Sequence, residues 1–103
     1  MDNYKLIVTI VSKGKAERVL DITHKAGAIG GTTLEGHGAA VRLFLGIKID
    51  PEKEIVLTLI GKNKVRQVLD AIVKEMDLNS PHKGIAFVID LEQVAGLSEE
   101  YKP

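Results

Sequence analysis

The chain is 103 residues long, of single-domain size, and fourteen Lys and Arg balance fourteen Asp and Glu to give a formal net charge of zero. No overall field therefore favours nucleic acid or an anionic membrane surface, and neither is expected as a partner. The absence of Cys removes disulfide frameworks, thiolate zinc sites and cysteine nucleophiles together. The opening MDNYK contains an acid and leads into only six residues of LIVTIV, too few for a signal-peptide core or a membrane span, so a soluble cytoplasmic protein without direct membrane insertion is expected. No linker or low-complexity stretch interrupts it, which predicts one domain over residues 1–103.

Leu6 to Val11 is a short β-branched run closed by Ser-Lys-Gly and reads as a strand. The period then changes: Ala16, Val19, Leu20 and Thr23 line one face of a helix, and Glu17, Arg18, Asp21 and Lys25 form its solvated face. AGAIGG puts Gly27 where a left-handed cap ends that helix. Thr32 to Glu35 (TTLE) is a second strand. Ala39 to Glu54 is a loop whose Val41, Leu43, Phe44 and Leu45 are too apolar for an idle surface segment. It either folds back as a strand, the favoured reading, or docks on a partner. Ile55 to Ile60 is again a strand, Val65, Val68, Leu69, Ile72, Val73 and Met76 mark a second helical face, and the polar loop Asp77 to Gly84 leads into the strand IAFVID.

The second half repeats the first. VTIVSKGKAERVLD, Val8 to Asp21, aligns with LTLIGKNKVRQVLD, Leu57 to Asp70, and at an offset of 49 the window Lys5 to Lys25 holds seven identities. Two βα units, each followed by a returning strand, predict an α+β, ferredoxin-like βαββαβ sandwich: an antiparallel sheet with two helices on one face. Right-handed crossovers are expected to set the two repeated strands side by side and parallel in the centre. Alternate residues of a strand face opposite ways, yet Leu6, Val8 and Ile10 are as apolar as Ile7 and Val11, and Ile55, Leu57 and Leu59 match Val56 and Ile60. Two helices cover one face only, so the other predicts homo-oligomerisation; a loop or the C-terminal tail folded over it is the alternative.

Gly30, Gly31, Gly36 and Gly38 free the backbone to approach a ligand, and turns of this kind can form anion nests. Arg42, His82 and Lys83 lie in loops where an anion would need donors. There is no P-loop and no GxGxxG opening a helix. His24, His37 and His82 match no metal-ligand spacing, and Ser12, Ser80 and Ser98 have no nucleophile context, so neither a metal site nor a catalytic residue is assigned. The phosphate-binding loop of acylphosphatase, which shares this topology, is not visible.

KLIVTIV with its following helix, GGTTLEGHG, EIVLTLI with the second helix, and GIAFVIDLEQVAGL together resemble the PII signal-transduction family and its PII-like relatives. The resemblance covers nearly the whole chain, and the FV followed by EQV is its most specific piece. It implies a homotrimer with sheets facing inward and ligand clefts between neighbouring subunits. Thr32, Gly36, His37, Gly38, His82, Lys83 and Gly84 are the candidate lining of such clefts, and Arg42, Leu43, Phe44 and Leu45 are the candidate partner segment. The chain departs from the family in four places. Its loop is shorter, and its only tyrosines are Tyr4 and Tyr101, away from the family's modified position. Ile85 stands where the family holds ATP phosphates with a lysine, and the tail AGLSEEYKP lacks the usual arginine pair. The expectation is a trimeric regulator of an enzyme or transporter, in nitrogen metabolism or transport, that senses a nucleotide or small anionic metabolite; no cofactor is assigned. The alternatives are a ligand-independent interaction trimer and a metal-tolerance protein of CutA character.

Overall fold

A computed structural model describes residues 3–39, 42–44, 47–49 and 51–97. Its elements run β1 (Tyr4–Ser12), α1 (Ala16–Lys25), β2 (Thr32–His37), β3 (Arg42–Phe44), β4 (Ile47–Ile49), β5 (Glu52–Gly61), a 3₁₀ turn (Lys62–Lys64), α2 (Val65–Glu75) and β6 (Ile85–Asp90). The main sheet has the order β2-β5-β1-β6 and every pairing in it is antiparallel. The βαββαβ plan read from the repeat is thus present, with the hairpin β3–β4 inserted between its second and third strands.

The repeated strands β1 and β5 do lie side by side at the centre, but they run antiparallel, Leu6 opposite Leu59 and Ile10 opposite Ile55, not parallel as expected. The physical reason is the connection. The crossover through α1 makes β2 parallel to β1, and β2 pairs antiparallel with β5, so β5 must oppose β1. A crossover rule governs strands joined by a crossover, and β1 and β5 are not so joined.

Odd residues of β1 and even residues of β5 point into the helix layer. Ile7, Ile22, Ala28, Ile60, Val68 and Ile72 form one buried cluster, and Val11, Ala16, Val19 and Val56 a second. Thr9 and Thr58, equivalent in the two halves, are fully buried among them, and neither hydroxyl has a hydrogen-bond partner among the described residues. The helices end alike. The Gly27 N–H donates to the His24 carbonyl (3.1 Å) and Ala28 N–H to Thr23 (2.9 Å), with Gly27 at φ +121°. At the end of α2 the same pair of bonds runs from Asp77 to Lys74 and from Leu78 to Val73, with Asp77 in the left-handed region.

The helices begin differently. Lys15, at the N-cap of α1, supplies no side-chain acceptor; the Glu54 carboxylate of β5 does so, taking the Gly14 and Ala16 N–H groups at 2.8 Å each. At α2 no side chain among the described residues caps the start. The residue equivalent to Glu54 is Lys5, which forms an ion pair with Asp90 of β6 instead. Glu54→Ala should therefore cost about 0.5–2 kcal/mol, the range for a lost helix cap, and lower the midpoint of thermal unfolding followed by circular dichroism. A midpoint equal to that of the unaltered protein would rule this cap out as a stabilising contact.

Among the described residues no layer of helices or strands covers the opposite face of the sheet. Ladder pairing sets Ile89, Leu6 and Leu59 in one row, Phe87, Val8, Leu57 and Thr32 in the next, and Ile85, Ile10, Ile55 and Leu34 in a third. No charged side chain enters these rows, and Leu34, Ile85, Phe87 and Ile89 stand 40–55% exposed. Among the described residues the C-terminal segment reaches one corner only, where Gly96 and Leu97 share a groove with Thr32, Leu57 and Leu59.

Candidate ligand site at the sheet end

Four chain segments meet where β1 and β2 end and β5 and β6 begin. His37 pairs with Glu52 across the β2–β5 ladder, and Gly38 N–H donates to the Pro51 carbonyl at 2.8 Å, closing the neck of the inserted hairpin. The end of β1 is tied to the same neck: Lys13 N–H donates to the Glu52 carbonyl (3.2 Å), and its Nζ lies 2.9 Å from Glu52 Oε2. The hydrogen bond and charge of Lys13 hold the Glu52 carboxyl below its ordinary range, and Glu52 raises the Lys13 ammonium. Lys5 likewise lowers Asp90. Depressed carboxyl pKa values mean that both pairs contribute above the unfolded carboxylate value and are lost as pH falls through the folded one. Acidification from neutral pH should lower the protection of the Gly38 and Lys13 amides, measured as exchange relative to the intrinsic rate at each pH, before the core opens. Unchanged protection there down to the acid transition of the whole subunit would contradict this.

The glycines act here through packing. Gly30, Gly31, Gly36 and Gly38 all lack a positive φ, so the left-handed turns of an anion nest are not formed at them. A Cβ on Gly31 would lie 2.9 Å from Leu20 Cδ2 and 3.2 Å from the Leu57 carbonyl oxygen. Strain collects instead in the 77–84 loop, where Asp77 and His82 have φ of 55° and 64° and Gly84 has +131°. A Cβ on Gly84 would meet the Ile10 carbonyl oxygen at 2.8 Å, so only glycine fits where this loop re-enters the sheet.

The structure divides the expected site residues. His82 and Gly84 line an open groove of about 650 Å³ with Ile10, Ser12, Ile85 and the Pro51–Lys53 neck. Gly36 and His37 lie across β5 from it, around a small hollow bounded by Lys13, Glu35, Glu52 and Lys53. Gly38 is at the neck itself, and Lys83 faces the helix side. Thr32 is not part of this gathering. It pairs with Leu57 at the far end of β2, beside Gly30, Gly31, Gly96 and Leu97. Of the expected partner segment, Arg42, Leu43 and Phe44 form β3, paired antiparallel with Ile47–Ile49; Leu45 lies outside the described residues. These described residues form a separate two-stranded ribbon and add no strand to the main sheet.

Sequence reasoning missed Ser12, Lys13, Glu52 and Lys53 at this end. The Lys-Gly-Lys directly after β1 was the available signal. Among the described residues no three His, Cys, Asp or Glu side chains gather as a metal set, and no helix is long and apolar enough to cross a membrane. His24 is exposed in the last turn of α1, apart from both other histidines in the fold.

Comparison with known proteins gives the same plan. The profile described as Nitrogen regulatory protein P-II matches residues 4–101. Among solved structures the chain is similar to B. subtilis GlnK, with a TM-score of 0.69 and 18% identity over 87% of this chain and 86% of that one. It is similar to a B. subtilis GlnK–ATP complex, with a TM-score of 0.69 and 17% identity over 89% and 87% of the two chains. It is also similar to CPII bound to ADP, AMP and acetate from Thiomonas intermedia K12, with a TM-score of 0.64 and 19% identity over 85% of each chain. No curated protein sequence matches it.

Proposed function

Since the chain belongs to the P-II family of nitrogen regulatory proteins, we propose that it is a homotrimeric cytoplasmic regulator, not a catalyst, which binds a nucleotide or small anionic metabolite between subunits. Its output passes to a target enzyme or transporter through the 39–54 segment. The observation that carries this reading is the open sheet face. Ten apolar side chains in three ladder rows, with no charge among them, form a surface that a soluble protein buries against a partner. Packing three such faces inward turns the sheet edges toward neighbouring subunits. The β2 end of one subunit, with Gly36, His37 and Gly38, can then complete the His82–Gly84 groove of the next. Similar folds solved with bound nucleotides, ATP for GlnK and ADP and AMP for CPII, support the ligand class.

Sedimentation and thermal denaturation test the reading together. The protein should sediment as a trimer at micromolar concentration. ATP, ADP or AMP should raise its unfolding midpoint, since a ligand bound only by the folded state stabilises it by about 2.7 kcal/mol at a hundred times its Kd. A stable monomer defeats the assembly. A trimer that responds to no nucleotide and to no 2-oxoglutarate is a ligand-independent module, and one that responds to divalent metals alone is a metal-tolerance protein.

A further inference from the structure

On the helix side of the same sheet end, Lys15, Arg18, His82 and Lys83 converge on an open groove of about 460 Å³ between the start of α1 and the 77–84 loop. We infer that this groove is a phosphoryl-binding site of the single subunit, holding the charged end of a polyphosphate ligand whose remainder lies in the sheet-end groove. This rests on the nucleotide reading above and adds to it the residues that take the phosphates.

Three observations carry it. The first is the state of the cations. Lys5, Lys13 and Lys25 are each matched by a carboxylate, whereas Lys15, Arg18 and Lys83 have no ion pair or side-chain hydrogen bond among the described residues. Their donors are free to be taken by a ligand, and an arginine fork with two ammonium groups suits phosphate oxygens. The second is continuity. Ser12 and His82 line both this groove and the sheet-end groove, so an extended ligand can cross from one to the other over a shared rim. The third is the balance of charge. Glu75 and Asp77 also line the groove, and three permanent cations outnumber them, so the net charge of the lining favours an anion. The start of α1 does not itself supply the anion site, because the Gly14 and Ala16 N–H groups are already taken by Glu54.

Titration calorimetry with inorganic triphosphate and with ATP tests the assignment. Triphosphate should bind the unaltered protein, and Arg18→Ala and Lys15→Ala should each weaken it roughly ten- to a hundredfold, the value of one charge-assisted contact. Lys25→Ala, on the same helix but paired with Asp21, should leave it unchanged. Because the groove belongs to one subunit, a Leu57→Lys variant should keep its triphosphate affinity even as a monomer. Absence of triphosphate binding overturns the proposal, as does equal weakening by all three alanine variants. Undiminished ATP binding in the Arg18→Ala, Lys15→Ala double variant also overturns it while leaving the inter-subunit reading intact. Triphosphate binding that depends on Arg18 in a protein that never assembles removes the trimer instead and keeps the groove.

Discussion

Leu57→Lys should yield a folded monomer. Leu57 sits in the middle row of the open face, between Val8 on one side and Thr32 on the other, with Phe87 beyond Val8. In a free subunit a lysine there lays its methylene stem along the neighbouring apolar side chains and extends its ammonium into water, at little cost. In the proposed trimer the same ammonium would be enclosed by apolar rows from other subunits and left unpaired. Leaving a charge buried in that way costs several kcal/mol at each site, and the proposed threefold symmetry would repeat the insult in every subunit. Sedimentation velocity should show loss of the trimer boundary, while far-ultraviolet circular dichroism keeps the spectrum of the unaltered protein. Retention of the trimer by the variant would place the interface on another surface.

The same substitution one residue along has the opposite character. Thr58→Lys should abolish folding, because Thr58 points into the helix layer, has no accessible surface and lies opposite Ile7 on the neighbouring strand. No route to water exists from that position, and an unpaired buried ammonium consumes much of the roughly 5–15 kcal/mol that stabilises a domain. Thr58→Val tests the site from the other side. The Thr58 hydroxyl is buried without a partner, so replacing it with a methyl group of similar shape removes an unmet desolvation penalty of about 1–3 kcal/mol. Each kcal/mol gained raises the unfolding midpoint of a domain this size by roughly 4–8 °C, and Thr9→Val should behave likewise. A lowered midpoint for both valine variants would mean that a buried water bonds the two hydroxyls.

These paired outcomes show which parts of the molecule were legible from the amino-acid sequence. The repeat and the change of period after each strand are local signals, and they carry the element order, both helix ends and the two apolar faces of β1 and β5. Which of those faces meets the helices is a tertiary fact; Thr9 and Thr58 look equally suited to either side until the helices are in place. Direction was misjudged for a comparable reason. Strand polarity follows from the hairpin between β2 and β5, and that hairpin is hidden behind an apolar loop that forms its own ribbon.

Much less of the candidate site was legible. Thr32 and His37 are five positions apart in the chain and read as one cluster, but a strand rises about 3.3 Å per residue, which carries them to opposite ends of β2. Glu52, Lys53 and Glu54 read as the tail of a loop, because their role depends on partners some forty residues away: Glu52 on Lys13, Glu54 on the first amides of α1. Arg18 reads as part of a solvated helix face, and it is exposed. Its meaning changes only once the 77–84 loop is seen to rise beside it.

Glu54 and Lys5 occupy one position counted twice, once in each half of the chain, and they serve different ends of the molecule. The acid reaches back to fasten the first helix, and the base reaches forward to the last strand. The two halves still share a backbone plan, but they are no longer interchangeable parts. A chain assembled from two first halves would have lysine at both positions and no acceptor for the opening amides of either helix. One assembled from two second halves would place a carboxylate where Asp90 now meets a cation. Divergence after the repetition has made each half the completion of the other, so neither is a spare copy.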